Sequence, residues 1–329
     1  MGQTVPYRIA VCVCTADRPE LLSRLLSALA DVECLPGGCE PLLVVVDNRP
    51  GDAATAGIIG AARPKLPFPV VLEQEPIPGI SSARNRAVTV ALQAGADLVA
   101  FIDDDDLPRP DWLARLLETR EATGADLVFG SHCPPPEAPV PFWLRRAPFF
   151  ERKPLPGLNG IGVPAGASTC NVLLSRALLL RLLAEGPLFR PEFARVGGGD
   201  TDLFARAIRR GFAYAISDRS EVWRTWEASR LTWAGLTRRS FRYGITRWRL
   251  RVAHGQVRSR SAEVPRVCER LIRNAMRIIG SLHRRRRLAR SYFLFVERVG
   301  EAYALLGGSY AYYGGRGEPC SRTSAGRCR

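Results

Sequence analysis

Apolar and polar positions along the chain follow two periods in turn. Residues 8–14, RIAVCVC, form a continuous apolar run of strand length. Pro19 then opens a stretch in which Leu21, Leu22, Leu25, Leu26 and Leu29 recur at helical spacing. The same exchange repeats. LLVVVD (42–47) reads as a strand ending in Asp47, followed by a short Ala-rich helix, and PVVLEQ (69–74) as a third strand. A helix is expected over 81–95, opened by serine and closed by Gly95. A fourth strand is expected over 97–103, a helix from Pro110 to Gly124, and a fifth strand over 125–130. After a Pro- and Gly-rich segment (131–166), a strand over 168–175, a Leu-rich helix, a helix starting near Asp200 and the strand FAYAIS complete the pattern. From Ser229 onward only helical periodicity is left.

Strands that are apolar on both faces and alternate with helices predict an α/β fold, a largely parallel sheet covered on both sides. Such sheets bind ligands beyond the carboxyl ends of their strands. Three strands deliver polar residues there: Thr15 to Arg18, Asp47 with Asn48, and the run Asp103 to Asp106. The irregular 131–166 segment is expected to be a functional loop or lid.

Charge divides the chain in a way the apolar pattern does not. Residues 235–329 carry 22 Arg and 5 Glu, a balance of +17, within a net charge of +15. The preceding body is therefore nearly neutral, and the basic third seeks a polyanion. An Arg block at 284–287 precedes SYFLFVERV, so a helix lying on an anionic membrane, with Phe293, Leu294 and Phe295 inward, is one expectation. Helices packing that face on the body are the other. No RNP, zinc or homeodomain pattern supports nucleic-acid binding. No export signal and no apolar run of roughly 18 residues is present, so a cytoplasmic protein, or one peripheral on the cytosolic face of the inner membrane, is expected. The cysteines lack paired metal spacing and are expected to be reduced.

Four adjacent carboxylates repel one another, and a buried strand that ends in them needs a reason to do so. Asp103 and Asp105 tend to one side and Asp104 to the other. Together they form a hard oxygen-donor cup suited to Mg²⁺ or Mn²⁺. Asp104 and Asp106 are also suited to shaping the turn and capping the next helix. No P-loop is present, and VGGGD is not a dinucleotide fingerprint. Arg84 lies in the first turns of a helix whose N-terminus is expected to point to the same sheet edge, as a phosphate partner or as an exposed helix Arg.

The ordered motifs CTADRPELL, VVVDN, PGISSARNRA, FIDDDDLPRPDWL, TCNVLLSR and GGGDTDLFARAIRRGF resemble the GT-A-fold glycosyltransferases of family 2, of the inverting, non-processive bacterial type, over roughly residues 8–250. The resemblance implies a GT-A catalytic domain at 1–228; helical periodicity and charge predict a basic α-helical region at 229–314, and a disordered tail is expected at 315–329. The resemblance also implies metal-dependent, inverting transfer from a nucleotide sugar, UDP-linked by preference, to a glycan, lipid-linked or small-molecule acceptor. Thr15, Asp17, Arg18, Asp47, Arg84, Asp103 and Asp104 match nucleotide-sugar-binding positions. Asp105, with Asp103, matches the metal ligands. Asp200 matches the catalytic base, and Asp202 is the alternative. Arg238, Arg239 and Arg242 are candidates for holding the diphosphate or the acceptor, or form an outer basic face.

The chain departs from the family pattern at two points. Gly199 stands where an acidic residue often precedes the base. SEVWRTWE offers Trp223, Arg224 and Trp226 where many members carry a metal-binding histidine, and His132, His254 and His283 match no such position. A nucleotidyltransferase of related fold and a catalytically dead transferase core that binds membrane or nucleic acid are the rival readings. The absent phosphate loop and the intact carboxylates at 103–105 and 200 speak against them.

Overall fold

The structure is a computed structural model, described over residues 6–308 except 34, 50, 52, 134–153, 155–156, 195, 225–230 and 284. Most of the segment expected to be a lid, and the tail beyond 314, lie outside the described residues. The strands are β1 (Arg8–Thr15), β2 (Glu40–Asp47), β3 (Val70–Gln74), β4 (Leu98–Phe101), β5 (Asp106–Pro108), β6 (Leu127–Cys133), β7 (Val172–Ser175) and β8 (Tyr214–Arg224). The helices are α1 (Pro19–Ala30), α2 (Ala53–Ala62), α3 (Ile80–Gln93), α4 (Trp112–Thr123), α5 (Arg176–Leu183), α6 (Gly199–Arg209), α7 (Trp233–Ala253), α8 (Arg260–Ile279) and α9 (Arg285–Leu305).

The strands form one mixed sheet in the order β3-β2-β1-β4-β7-β6-β8-β5. Pairing is parallel from β3 through β2 and β1 to β4, and between β6 and β8. It is antiparallel where β7 joins β4 and β6, and where β5 joins β8. Strand alternation sorts the core into two layers. Ala10, Cys12, Val44 and Val99 pack with α3, α5 and α6 on one face. Ile9, Val11, Leu43 and Val45 pack with α1 and α4 on the other. The apolar runs are therefore covered on both sides.

Register aligns the site. Thr15 at the end of β1 stands beside Asp47 at the end of β2, and Cys12 beside Phe101, the last residue of β4. One sheet edge thus receives Thr15, Asp47 and the Asp run. Asn48 fastens this edge to the entry of α3: its amide donates to the carbonyls of Glu75 (2.9 Å) and Ile77 (2.8 Å), and its Oδ1 accepts from Gly79 N (2.8 Å). The cap of α3 is Gly79, with φ 127°, rather than a serine. Asn171, in the TCN motif, is a second fastening. Buried between β6, α4 and β8, it accepts from Trp112 Nε1 (2.9 Å) and donates to Ser131 O (2.9 Å).

The basic helices form a layer of their own. Helices α7 and α9 cross backbone to backbone: a Cβ at Gly244 would lie 1.9 Å from Glu297 O, and one at Gly300 would lie 2.0 Å from Phe241 O. Any side chain at either position forces the helices apart. Buried Glu301 accepts from Arg251 (3.2 Å), Arg270 (2.7 Å) and Arg298 (2.7 Å), joining all three helices. Helix α7 also sits on the Gly turn before α6, where Thr246 Oγ1 donates to Val196 O (3.0 Å) and Leu250 packs on Phe193 and Val196. Phe293 is buried against Trp233, so it belongs to the bundle and is not free to face a membrane. Among the described residues, no helix is long and apolar enough to cross one.

Candidate active site

The Asp run does not continue β4. It turns, with Asp106 N donating to Asp103 O (3.1 Å), and re-enters the sheet as β5 against β8. The turn parts the four side chains. Asp104 faces β1 and α1, accepting from Thr15 Oγ1 (2.9 Å) and Arg18 Nη1 (3.0 Å). Burial raises its pKa to about 6 despite Arg18 and Thr15. Asp103, Asp105 and Asp106 gather on the other side.

At the centre of that group is Arg224, the last residue of β8. Its guanidinium donates to Asp106 through two nitrogens (2.8 and 2.9 Å) and to Asp103 Oδ2 (2.7 Å), with Asp105 Oδ1 at 3.5 Å. Burial works against its charge, but Asp106, Asp105 and Asp103 outweigh that and hold it firmly protonated. Arg84 approaches from α3 and donates to Asp103 Oδ1 (3.1 Å), its guanidinium lying over Phe189 (5.6 Å). Burial alone would raise the Asp103 pKa, yet Arg84 and Arg224 hold it below the usual carboxylate range. Three guanidiniums thus face four carboxylates, and burial pushes Asp106 well above the usual carboxylate range despite Arg224. Side-chain oxygens of Asp103, Asp105 and Asp106 all lie within 4.8 Å of one another. Asp106 is sealed in, whereas the side chains of Asp103 and Asp105 are 30% and 15% exposed. A divalent cation therefore fits the donor chemistry through Asp103 and Asp105.

Asp200 stands in the first turn of α6, half-buried, its Oδ1 accepting from Thr201 N (2.7 Å). The preceding Gly199 stands near Ser81 on α3, the helix that carries Arg84, and the Asp200 carboxylate favours the charged form of Arg84. Asp47 is buried at the end of β2 and accepts from Arg49 N (2.9 Å). Asp17 is exposed with φ 57°, a left-handed position that Asp tolerates, and pairs with Arg49 (2.5 Å).

The family model described as "Glycosyl transferase family 2" matches residues 10–180, which include most of β1, all of β2 and β4, and the whole Asp run. The chain belongs to glycosyl transferase family 2. The succinoglycan biosynthesis protein ExoM of Rhizobium meliloti (strain 1021) is 34% identical over 252 residues, 75% of this chain and 77% of that protein. The glycosyltransferase AglE of Haloferax volcanii is 28% identical over 131 residues, 40% of this chain and 41% of that one. Among solved structures, the mannosyltransferase PcManGT from Pyrobaculum calidifontis, in complex with GDP-Man and Mn²⁺, is similar in fold with a TM-score of 0.56. It is 15% identical, over 92% of this chain and 89% of that one. This family 2 chain is thus a glycosyltransferase of α/β GT-A fold with a helical C-terminal part.

Asp202, the alternative base, is fully buried. Arg206 Nε donates to it (3.0 Å), and Arg190 (3.6 Å) and His254 Nε2 (3.1 Å) stand against its other oxygen. Burial would raise its pKa, but His254, Arg206 and Arg190 hold it below the ordinary value of 3.8. A depressed carboxylate stabilises the fold above that ordinary value, and the contribution is lost as pH falls through the folded pKa. Asp202→Asn should therefore cost about 1–3 kcal/mol at pH 7 in urea denaturation. The gap to wild type should narrow toward pH 3, and a gap independent of pH would contradict the pairing.

In this glycosyltransferase, Arg239 and Arg242 both lie over Tyr243 (5.4 and 5.1 Å); Arg242 is buried and Arg238 exposed. His132 contacts Cys170 (3.1 Å). A Cβ at Gly199 would meet Phe193 Cβ at 3.6 Å and Phe189 Cδ1 at 3.8 Å, both ordinary van der Waals contacts. The residue that sequence reasoning underrated is Arg224. The sequence named it only as one of the residues of SEVWRTWE that stand where many family members carry a metal-binding histidine, beyond the last predicted strand, FAYAIS.

Proposed function

We propose that the chain transfers a sugar from a nucleotide sugar, UDP-linked by preference, to a hydroxyl of a growing glycan or lipid-linked glycan, inverting the anomeric centre and depending on Mg²⁺ or Mn²⁺. The observation that carries this reading is the meeting of Thr15, Arg18, Arg84 and the Asp run at one sheet edge, with Asp200 beside the helix that carries Arg84. Thr15, Asp17, Arg18 and Asp47 line the nucleoside end. Asp103 and Asp104 serve the ribose and metal side, and Arg84 the diphosphate. Asp105 with Asp103 would hold the cation, which when bound neutralises charge growing on the leaving diphosphate. Asp200 accepts the acceptor's hydroxyl proton as the new C–O bond forms and the bond to the diphosphate breaks. Arg238, Arg239 and Arg242 are assigned to the acceptor or diphosphate side. The catalytic unit is assigned to 1–228 and the helical unit to 229–314. The name of the Rhizobium relative, a succinoglycan biosynthesis protein, supports a polysaccharide acceptor.

The test is calorimetric titration of UDP in the presence of Mn²⁺. Asp105→Ala should weaken binding by about tenfold to a hundredfold, the value of one hydrogen bond or contact to a charged group. Unchanged affinity would remove Asp105 from the metal site.

A further inference from the structure

Helix α8 is apolar on two sides. Inward, Val267 and Leu271 pack with Ile245, Trp248, Ala304 and Leu305, beside buried Glu263 and Asn274, and Glu263 accepts from Arg251 (2.7 Å) and Arg266 (2.8 Å). Arg270 reaches inward to Glu301 (2.7 Å). A second apolar stripe faces outward. Val264, Ile272, Met276, Ile279 and, just past the helix end, Leu282 are 42–65% exposed, with Cys268 exposed between them. Spacings of three and four residues put them on one stripe about 30 Å long. Arg266, Arg273 and Arg277 flank it. The only exposed acid on α8, Glu269, is paired with Arg273 (3.1 Å).

At the N-terminal end of the stripe, a cavity of about 660 Å³ opens between the end of α7, the start of α8 and the end of α9. Arg249, Arg258 and Arg260 line it beside Trp248, Val252 and one acid, Glu192. None of the three arginines has an ion-pair or hydrogen-bond partner among the described residues. Arg260 precedes Val264 by one turn, so the cavity and the stripe share a face.

We propose that this face docks the protein on an anionic membrane surface. The α8 stripe enters the interfacial region, and Arg249, Arg258 and Arg260 hold lipid phosphates. An apolar stripe with basic flanks is the pattern of a helix lying in a membrane interface. A second copy is a poor occupant. A two-fold contact sets the same patch against itself, bringing the Arg flanks and the Arg-lined cavity together. An anionic bilayer instead neutralises them. The inference rests on this surface and not on the donor chemistry.

The full-length chain is sedimented with phosphatidylcholine vesicles, with and without phosphatidylglycerol, at ~0.15 M salt. Wild type should bind the anionic vesicles and not the neutral ones. Ile272→Glu with Met276→Glu, and separately Arg258→Glu with Arg260→Glu, should each weaken binding about tenfold or more. Unchanged thermal unfolding shows that the variants are folded. No binding by wild type, or binding independent of phosphatidylglycerol, overturns the proposal. So does vesicle binding unaffected by the Ile272/Met276 substitutions while inorganic phosphate binds in the Arg cavity, since the cavity is then a free-phosphate site. A wild-type dimer that these substitutions turn into monomer, with no vesicle binding, assigns the stripe to self-association and also overturns it.

Discussion

Asp200→Asn should bind the nucleotide-sugar donor as wild type does and lose transfer by about 10²- to 10⁴-fold, the range for removing a positioned general base. The substitution is nearly silent for the fold. Asp200 Oδ1 accepts from Thr201 N at the start of α6 (2.7 Å), and an asparagine oxygen accepts the same bond. What disappears is the capacity to take a proton. Neighbouring Asp202 cannot take over, because it is fully buried with Arg206, Arg190 and His254 around it. The measurement pairs calorimetric donor binding with UDP release in the presence of acceptor. Near-wild-type turnover would show that the base lies elsewhere. Lost donor binding would place Asp200 in the donor site instead.

Parts of this arrangement were legible in the sequence because a local pattern encodes them. β1, β2 and β4 are apolar runs closed by polar residues, and α1 and α4 carry helical spacing, so the edge that collects Thr15, Asp47 and the Asp run follows from strand order alone. The direction of β7 was not legible. It depends on the path of the irregular segment between Cys133 and Val172, and strand periodicity is the same in either direction. β5 was missed because three residues containing Asp106 and Pro108 look like a turn. They form a strand only because β8 extends to Arg224 beside them. Helix α8 shows strong amphipathicity, but periodicity cannot say which side faces inward. Arg251 of α7 and buried Glu301 of α9, which pair with Glu263 and Arg270 of α8, decide that, and neither lies on α8. For the same reason Arg224, 118 residues after Asp106, could not be read as its partner.

Arg224→Ala should unfold about 3–5 kcal/mol more readily than wild type, the usual cost of removing one partner from a buried ion pair. Asp106 is fully buried and receives two bonds from the guanidinium, so it is left as an uncompensated charge or must take up a proton. Asp103 loses its 2.7 Å bond, and four carboxylates then face only Arg18 and Arg84. Arg224→Lys keeps the charge but not the planar fork, and should fall between the two. The same geometry predicts how a divalent ion acts. In wild type the guanidinium already occupies much of the space between Asp103, Asp105 and Asp106, so an ion entering through Asp103 and Asp105 competes with it. In Arg224→Ala the competitor is gone, and Mn²⁺ at a hundredfold excess over its dissociation constant should restore about 2.7 kcal/mol. Urea denaturation with and without Mn²⁺ separates the cases. A midpoint for the variant equal to wild type would refute the ion-pair role, and an equal Mn²⁺ shift in both proteins would show that Arg224 and the cation do not share the carboxylates.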